Sequence, residues 1–298
     1  MPVYEQSYSH YAGAYRPRAL SWSVIAMKGI GHLLKEKGFR ILMFVSLFVF
    51  FILSIQLYLS ANAELLKWMG IREELTDFLK VNERFYYNFL QSQQFFCFLL
   101  PLVFGADLIA QDRRTKALAL YLSKPITRLD YLFGKGAIVL FYLYLITLVP
   151  GLFLMFLHAF FTEDWGYLSS NVSLMLRIAL FSHILIIPIL LSIMTLSSLV
   201  KSRISSGTMF CVLYFVPFAI SNIFRQLFYD PLFSSLFSKE WWSLVSFQTI
   251  WSQLGAEIFH QEIPYEIHWG YHLAALLLFC VLASMLLYRQ IRAVEIVK

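Results

Sequence analysis

The sequence predicts an all-α integral membrane protein with six transmembrane helices, an N-terminal interfacial helix, a cytoplasmic surface helix and external amphipathic helices before the last span. Three observations predict it. Hydrophobic residues make up 59% of the 298-residue chain and charged residues only 14%, too apolar a balance for a soluble domain. The apolar residues gather into six runs of about twenty, the length that crosses a bilayer core as a helix. When those runs alternate direction, 17 of the 24 Lys and Arg fall on one side, which the positive-inside rule makes the cytoplasm, with both termini there. Six of the seven tryptophans fall on the other side, as an interfacial belt would place them. The net charge of +6 therefore reads as cytoplasmic surplus and not as a nucleic-acid footprint.

Residues 1–40 form the cytoplasmic N-terminus. Its first part is polar and aromatic, with no apolar stretch beside a small-residue cleavage site, so the first span is expected to serve as the insertion signal. From Leu20 to Leu34, Trp22, Ile25, Ala26, Ile30, Leu33 and Leu34 recur at helical spacing, with Lys28, His32 and Lys35 opposite. That pattern predicts a helix in the headgroup layer, either a simple anchor or a brace for a partner protein.

Residues 41–298 form the six-span domain. The first span, about 41–60, holds only Ser46, Ser54 and Gln56 as polar groups, and the mixed-charge stretch 61–88 reads as an external helical loop. The second span, 89–110, is interrupted by Pro101 and delivers Asp107 to the cytoplasmic edge. The third, 136–156, carries Pro150-Gly151 as a bend, and Glu163, Asp164 and Trp165 form a short outer loop. The fourth, 178–199, bends near Pro188 and ends at Lys201-Ser202-Arg203; the fifth, 204–223, contains Pro217. Such bends are tolerated where neighbouring helices re-satisfy the freed carbonyls. Residues 225–269 turn at Asp230-Pro231, then space Phe247, Ile250, Trp251, Leu254 and Ile258 along one face, with Thr249, Ser252, Gln253 and Glu257 elsewhere. This predicts one or two amphipathic helices dipping into the outer leaflet. The last span, 270–288, ends at Arg289 and Arg292.

Between the second and third spans, residues 106–135 carry the densest charge: Arg113, Arg114, Lys116, Lys124, Arg128 and Lys135 against Asp107, Asp112 and Asp130. Such a stretch must face water. Asp112 to Tyr121 has no breaker and reads as helix, Pro125 ends it, and Thr127 followed by Asp130 has the capping-box spacing that opens a second helix.

The order of residues from Asp107 to Lys135 is an acidic-basic-basic patch, a Leu-rich turn, Ser-Lys-Pro-Ile-Thr-Arg, then aromatic-Leu-Phe-Gly-Lys leading into a span. It resembles the cytoplasmic coupling segment of ABC-2 type permeases, the membrane subunits of ATP-binding-cassette exporters. That family usually has Gly-Thr after the basic patch, where this chain has Lys116-Ala117. The resemblance makes 106–135 a coupling helix segment in which Asp107, Gln111, Asp112, Arg113, Arg114, Thr115, Lys116, Lys124, Pro125, Thr127 and Arg128 engage an ATPase. It implies a separate ABC ATPase subunit holding the ATP and Mg, a second permease subunit, either identical or a paralogue, and a bacterial cytoplasmic membrane. It also implies external helices between the fifth and sixth spans. No cofactor is expected on this chain.

Other chemistry is sparse. No glycine-rich phosphate loop followed by Lys-Ser/Thr occurs, so ATP hydrolysis is expected on another chain. Cys97, Cys211 and Cys280 lie far apart in apolar runs, which argues against a disulfide framework. His268 and His272, four apart near Glu262 and Glu266, have the spacing of a helix-face metal pair but no third ligand fixed by spacing. His183, beside Ser182 in the fourth span, either lines a substrate path or bonds a neighbouring helix. There is no Gly-x-Ser-x-Gly elbow and no His-Glu-x-x-His helix, which argues against a membrane enzyme. The alternatives to a permease are an integral membrane enzyme and a membrane scaffold recruiting a cytoplasmic protein.

Overall fold

The computed structural model describes residues 21–62, 80–117, 121, 126–228 and 240–291. Part of the outer loop after the first span, the Asp230-Pro231 turn, Lys124, Pro125 and Arg292 lie outside the described residues. In chain order come α1 (Ser21–Leu33), α2 (Lys37–Ser46), α3 (Phe48–Ala61), α4 (Glu83–Leu100), α5 (Ala110–Arg114), α6 (Arg128–Ile146) and α7 (Leu148–Phe161). They are followed by α8 (Gly166–Ser170), α9 (Val172–Leu199), α10 (Arg203–Phe228), α11 (Phe247–Ile258) and α12 (Trp269–Gln290). Among the described residues, six helical stretches are long and apolar enough to cross a membrane: Lys37–Ala61, Glu83–Arg114, Arg128–Phe161, Val172–Leu199, Arg203–Leu227 and Trp269–Gln290. Among the described residues the fold is all-helical, with the described part of the hinge (within 106–135) at one end of the bundle and Glu83, Asp164 and His260 at the other.

The long α9 is the centre of the bundle. Ile178, Phe181, Leu185, Ile189 and Ile193 are fully buried along it, packed among α4, α6, α10 and α12. The outer helices keep one apolar face bare, for example Phe51 and Ile55 on α3, Val212 and Phe215 on α10, and Leu278 and Val281 on α12. Hydrocarbon is as apolar as leucine, so these faces are the natural boundary with lipid and cost nothing there.

The prolines act in different ways. Pro101 closes α4 and begins a π-helical turn, Pro101–Gly105. The third span breaks at Thr147, one turn before Pro150, whose ring would clash with the carbonyl of Ile146. The expected bend is therefore real but displaced toward the chain's N-terminus. Pro188 and Pro217 sit inside uninterrupted helices. A proline at 188 leaves the Ile184 carbonyl without its helical donor. The indole N–H of Trp251 donates to that carbonyl at 3.1 Å. Gln248 likewise donates to the carbonyl of Tyr214, in the turn before Pro217, at 3.3 Å.

Those two donors belong to α11, which is less peripheral than its spacing predicts. Trp251 is fully buried and Leu254, Thr249 and Gln253 nearly so. The helix inserts among α4, α9, α10 and α12. Its polar residues are consumed internally: Thr249 donates to the Ser243 carbonyl at 2.6 Å, and Gln253 bonds the backbone of Tyr265 and Ile267. Trp251 is therefore a core residue, not a member of an interfacial belt.

At the hinge end α1 lies against the start of α6. Gly134 makes that contact, since a Cβ there would stand 2.7 Å from the Cβ of Ile25 and 2.9 Å from the backbone carbonyl of Trp22. Small residues at helix crossings let backbones approach this closely.

Candidate functional site

The hinge is built from the end of the second span outward. After the π-helical turn the chain needs new donors and acceptors, because a helix start leaves N–H groups unpaired. Ser197 on α9 provides them: its hydroxyl accepts from the N–H of Ile109 and of Ala110, both at 3.0 Å, and donates to the Ala106 carbonyl at 2.9 Å. Arg203, at the start of α10, donates to the Val103 carbonyl at 2.6 Å. Ser197 thus ties the start of the hinge to α9, and Arg203 ties the π-helical turn just before it to α10.

Asp112 is the second tie. The Tyr131 hydroxyl donates to its Oδ2 at 2.8 Å and the Lys135 ammonium lies 2.7 Å from the same oxygen. Lys135 also donates to the Leu108 carbonyl at 3.0 Å and stands 5.7 Å over the Tyr131 ring and 6.0 Å over that of Tyr121. Only 12% of either charged side chain is exposed. Burial, and then the nearby Asp112 carboxylate, push the Tyr121 phenol above its ordinary range, so it stays neutral. Asp112 is therefore an internal clamp between the hinge and α6, not part of the exposed basic patch.

The outward side is cationic. Gln111, Arg114, Thr115 and Lys116 are exposed, and Arg114 approaches Asp107 at 3.9 Å, a water-exposed pair of little energetic weight. Arg113 is half-buried, with one guanidinium nitrogen covered and without a hydrogen-bond partner. The helix expected from Asp112 to Tyr121 does not run through. It stops after Arg114, the Thr115 hydroxyl bonds back to the Gln111 carbonyl at 2.9 Å, and Lys116 takes a left-handed φ of 57°. That is the backbone region glycine favours, at the position where the resembled family has Gly. The capping box forms as spaced: the Thr127 N–H and hydroxyl bond the Asp130 carboxylate at 3.0 and 2.7 Å, and the Asp130 N–H bonds the Thr127 hydroxyl at 3.1 Å. Arg128 follows it, half-exposed.

The whole is a cationic turn on a braced mount, and among the described residues no nucleophile is set against a base. Among the described residues no group of His, Cys, Asp and Glu is placed to hold a metal. A model of the family described as ABC-2 family transporter protein matches residues 24–289. The chain belongs to that family. The match begins inside α1 and ends one residue short of the end of α12, so it takes in most of α1, the hinge and essentially all of the six apolar stretches. No curated protein matches the chain. As an ABC-2 permease it is a membrane transport component of a kind that generally carries no catalytic centre itself.

The remaining candidates do not converge on one place. Ser182 is fully buried and bonds its own helix at Ile178; His183 bonds its own helix at Ala179 and lies against the Tyr144 ring. His268 accepts from the Gly270 N–H at its helix start, while buried His272 pairs with the Ser243 hydroxyl at 2.9 Å. The two imidazoles thus serve different neighbours. At this far end a cavity of about 700 Å³ is lined by Glu240, Glu257, Glu266, Tyr265 and His268. Sequence reasoning missed Ser197 and Tyr131, which look like an ordinary membrane serine and an ordinary interfacial tyrosine.

Proposed function

We propose that this ABC-2 permease is the transmembrane subunit of an exporter powered by a separate ATPase, in a bacterial cytoplasmic membrane with both termini inside. A second permease subunit, identical or paralogous, completes the pathway, and ATP and Mg reside on the ATPase partner. What supports the reading is the mounting of the helix that ends in the exposed Arg114-Thr115-Lys116 turn: Ser197 ties its start to α9, Asp112 ties it to α6, and Arg203 ties the π-helical turn before it to α10. A force on the turn therefore reaches three spans without first collapsing a flexible loop. Complementary charge sets register at such a contact, so an acidic groove on the ATPase is the expected seat for Arg113, Arg114 and Lys116.

Asp107, Gln111, Thr115, Lys124, Pro125, Thr127 and Arg128 complete the coupling segment in this proposal, with Asp112 acting from inside. ATPase closure moves the segment, and the bends at Pro101, Thr147–Pro150, Pro188 and Pro217 let the spans rock. The absence of buried charge along the described spans, away from the hinge, favours a hydrophobic or amphiphilic cargo over small inorganic ions.

Purification in mild detergent tests this. An ATPase subunit is expected to co-purify at fixed stoichiometry, and Arg113→Glu with Arg114→Glu is expected to lose it while inserting normally. A double variant that retains its ATPase and its transport would contradict the proposed docking turn, and a wild-type chain that never brings down an ATPase would contradict the reading itself.

A further inference from the structure

The helix α1 has three faces, not two. At 100° per residue, Ile25, Ala26, Gly29 and Leu33 fall on the side toward the bundle, and Gly29 and Ile25 meet α6 at Ile138 and Gly134. Val24, Met27 and Leu34 fall on the opposite side and are bare, Met27 being 65% exposed. Lys28 and Lys35, seven residues apart, share the edge between the two, with His32 beside them. The basic edge continues past the helix as exposed Lys37 and Arg40.

Among the described residues no ion pair balances this edge. Among the described residues the nearby acidic side chain is Glu36, which lies 3.5 Å from His32, and none of Lys28, Lys35, Lys37 and Arg40 has an ion pair. A few residues further along the chain, Ile41, Phe44 and Phe48 are bare on the first span. Whatever covers α1 has to meet bare apolar side chains and basic side chains only a few residues before the chain enters its first membrane-crossing stretch. A bilayer covers both at once and brings its own charge.

We infer that α1 with Lys37 and Arg40 is a binding surface for anionic phospholipid: the acyl chains lie against Val24, Met27 and Leu34, and the phosphates lie against Lys28, Lys35, Lys37 and Arg40. Basic residues at an anionic leaflet attract it individually and additively until salt screens them. The surface is independent of the ATPase reading, since it needs neither nucleotide nor partner.

The experiment uses the full chain in nanodiscs of phosphatidylcholine mixed with phosphatidylglycerol. A fluorophore is placed on Met27→Cys, with Cys97, Cys211 and Cys280 changed to alanine, and one lipid species at a time is brominated. Brominated phosphatidylglycerol is expected to quench more strongly than brominated phosphatidylcholine at equal mole fraction. Each cation changed to glutamine lowers that preference by up to about fivefold, and 1 M salt removes it. Equal quenching by the two lipids overturns the inference, and so does weak quenching by both, which is the signature of a face covered by protein. Loss of the preference on adding millimolar inorganic phosphate would assign the cations to free phosphate and also overturn it. Should the cysteine-free chain not fold, the wild type decides: its melting temperature is expected to be higher with phosphatidylglycerol than without, and equal melting refutes the surface.

Discussion

Replacing Trp251 by phenylalanine tests the way this bundle stabilises its bends. The substitution keeps an aromatic ring stacked on Phe247, whose centroid lies 5.5 Å away, and removes the indole N–H that reaches the Ile184 carbonyl. Two losses follow. The smaller ring leaves a packing void of a few tens of Å³, about 1 kcal/mol at ~24 cal/mol per Å³. The carbonyl left bare beside Pro188 costs about 1 kcal/mol more, given that such bonds within membranes average ~0.6 and reach ~1.7 kcal/mol. The total alone does not separate the two, but a second change does. Pro188→Ala restores an N–H at the position that should bond Ile184 within the helix, so in that background Trp251→Phe is expected to cost only the first term. Denaturant titration of the purified chain in mixed micelles gives the four stabilities of the cycle, with an expected coupling of about 1 kcal/mol. Equal costs in the two backgrounds would refute the claim that α11 repairs the proline bend.

Two further outcomes probe the hinge. Asp112→Ala, which strands the Lys135 ammonium, is expected to destabilise the chain by about 3–5 kcal/mol, whereas Asp112→Leu with Lys135→Met restores most of the loss, because a buried pair is costly to break and cheap to replace; thermal unfolding in detergent reads both, and a mild single variant would show that the clamp is not buried in solution. Lys116→Gly removes a side chain from a left-handed position and is expected to raise stability by about 1 kcal/mol, with no change or a loss as the contrary result in the same melt.

Much of the scaffold could be read directly from the sequence, because a bilayer imposes one strong requirement, about twenty apolar residues per span, that hydropathy reports without tertiary knowledge. The Thr127–Asp130 capping box was legible for a similar reason: both partners lie within one helical turn. What escaped depends on distance along the chain. Ser197 acts on backbone about 90 residues earlier, and nothing near it in sequence marks that role. Asp112 and Lys135 were counted with the surface charge because charge pattern reports solvation and says nothing of pairing across 23 residues. The α11 helix looked amphipathic since Thr249 and Gln253 are polar, but their partners are backbone groups at Ser243, Tyr265 and Ile267, so the polar side is buried as well. At Lys116 the local sequence points the wrong way. A lysine sits where left-handed backbone favours glycine, and the turn is held by its flanks and not by its own preference.

The central claim is that the turn at Arg114 to Lys116 is a cytoplasmic handle moved by an ATPase. The most direct measurement places a cysteine at exposed Arg114 and applies a membrane-impermeant thiol reagent to intact cells and to opened membranes. The account predicts labelling only after the membrane is opened, and loss of that labelling when an ATPase is bound. Labelling of intact cells from outside would contradict it.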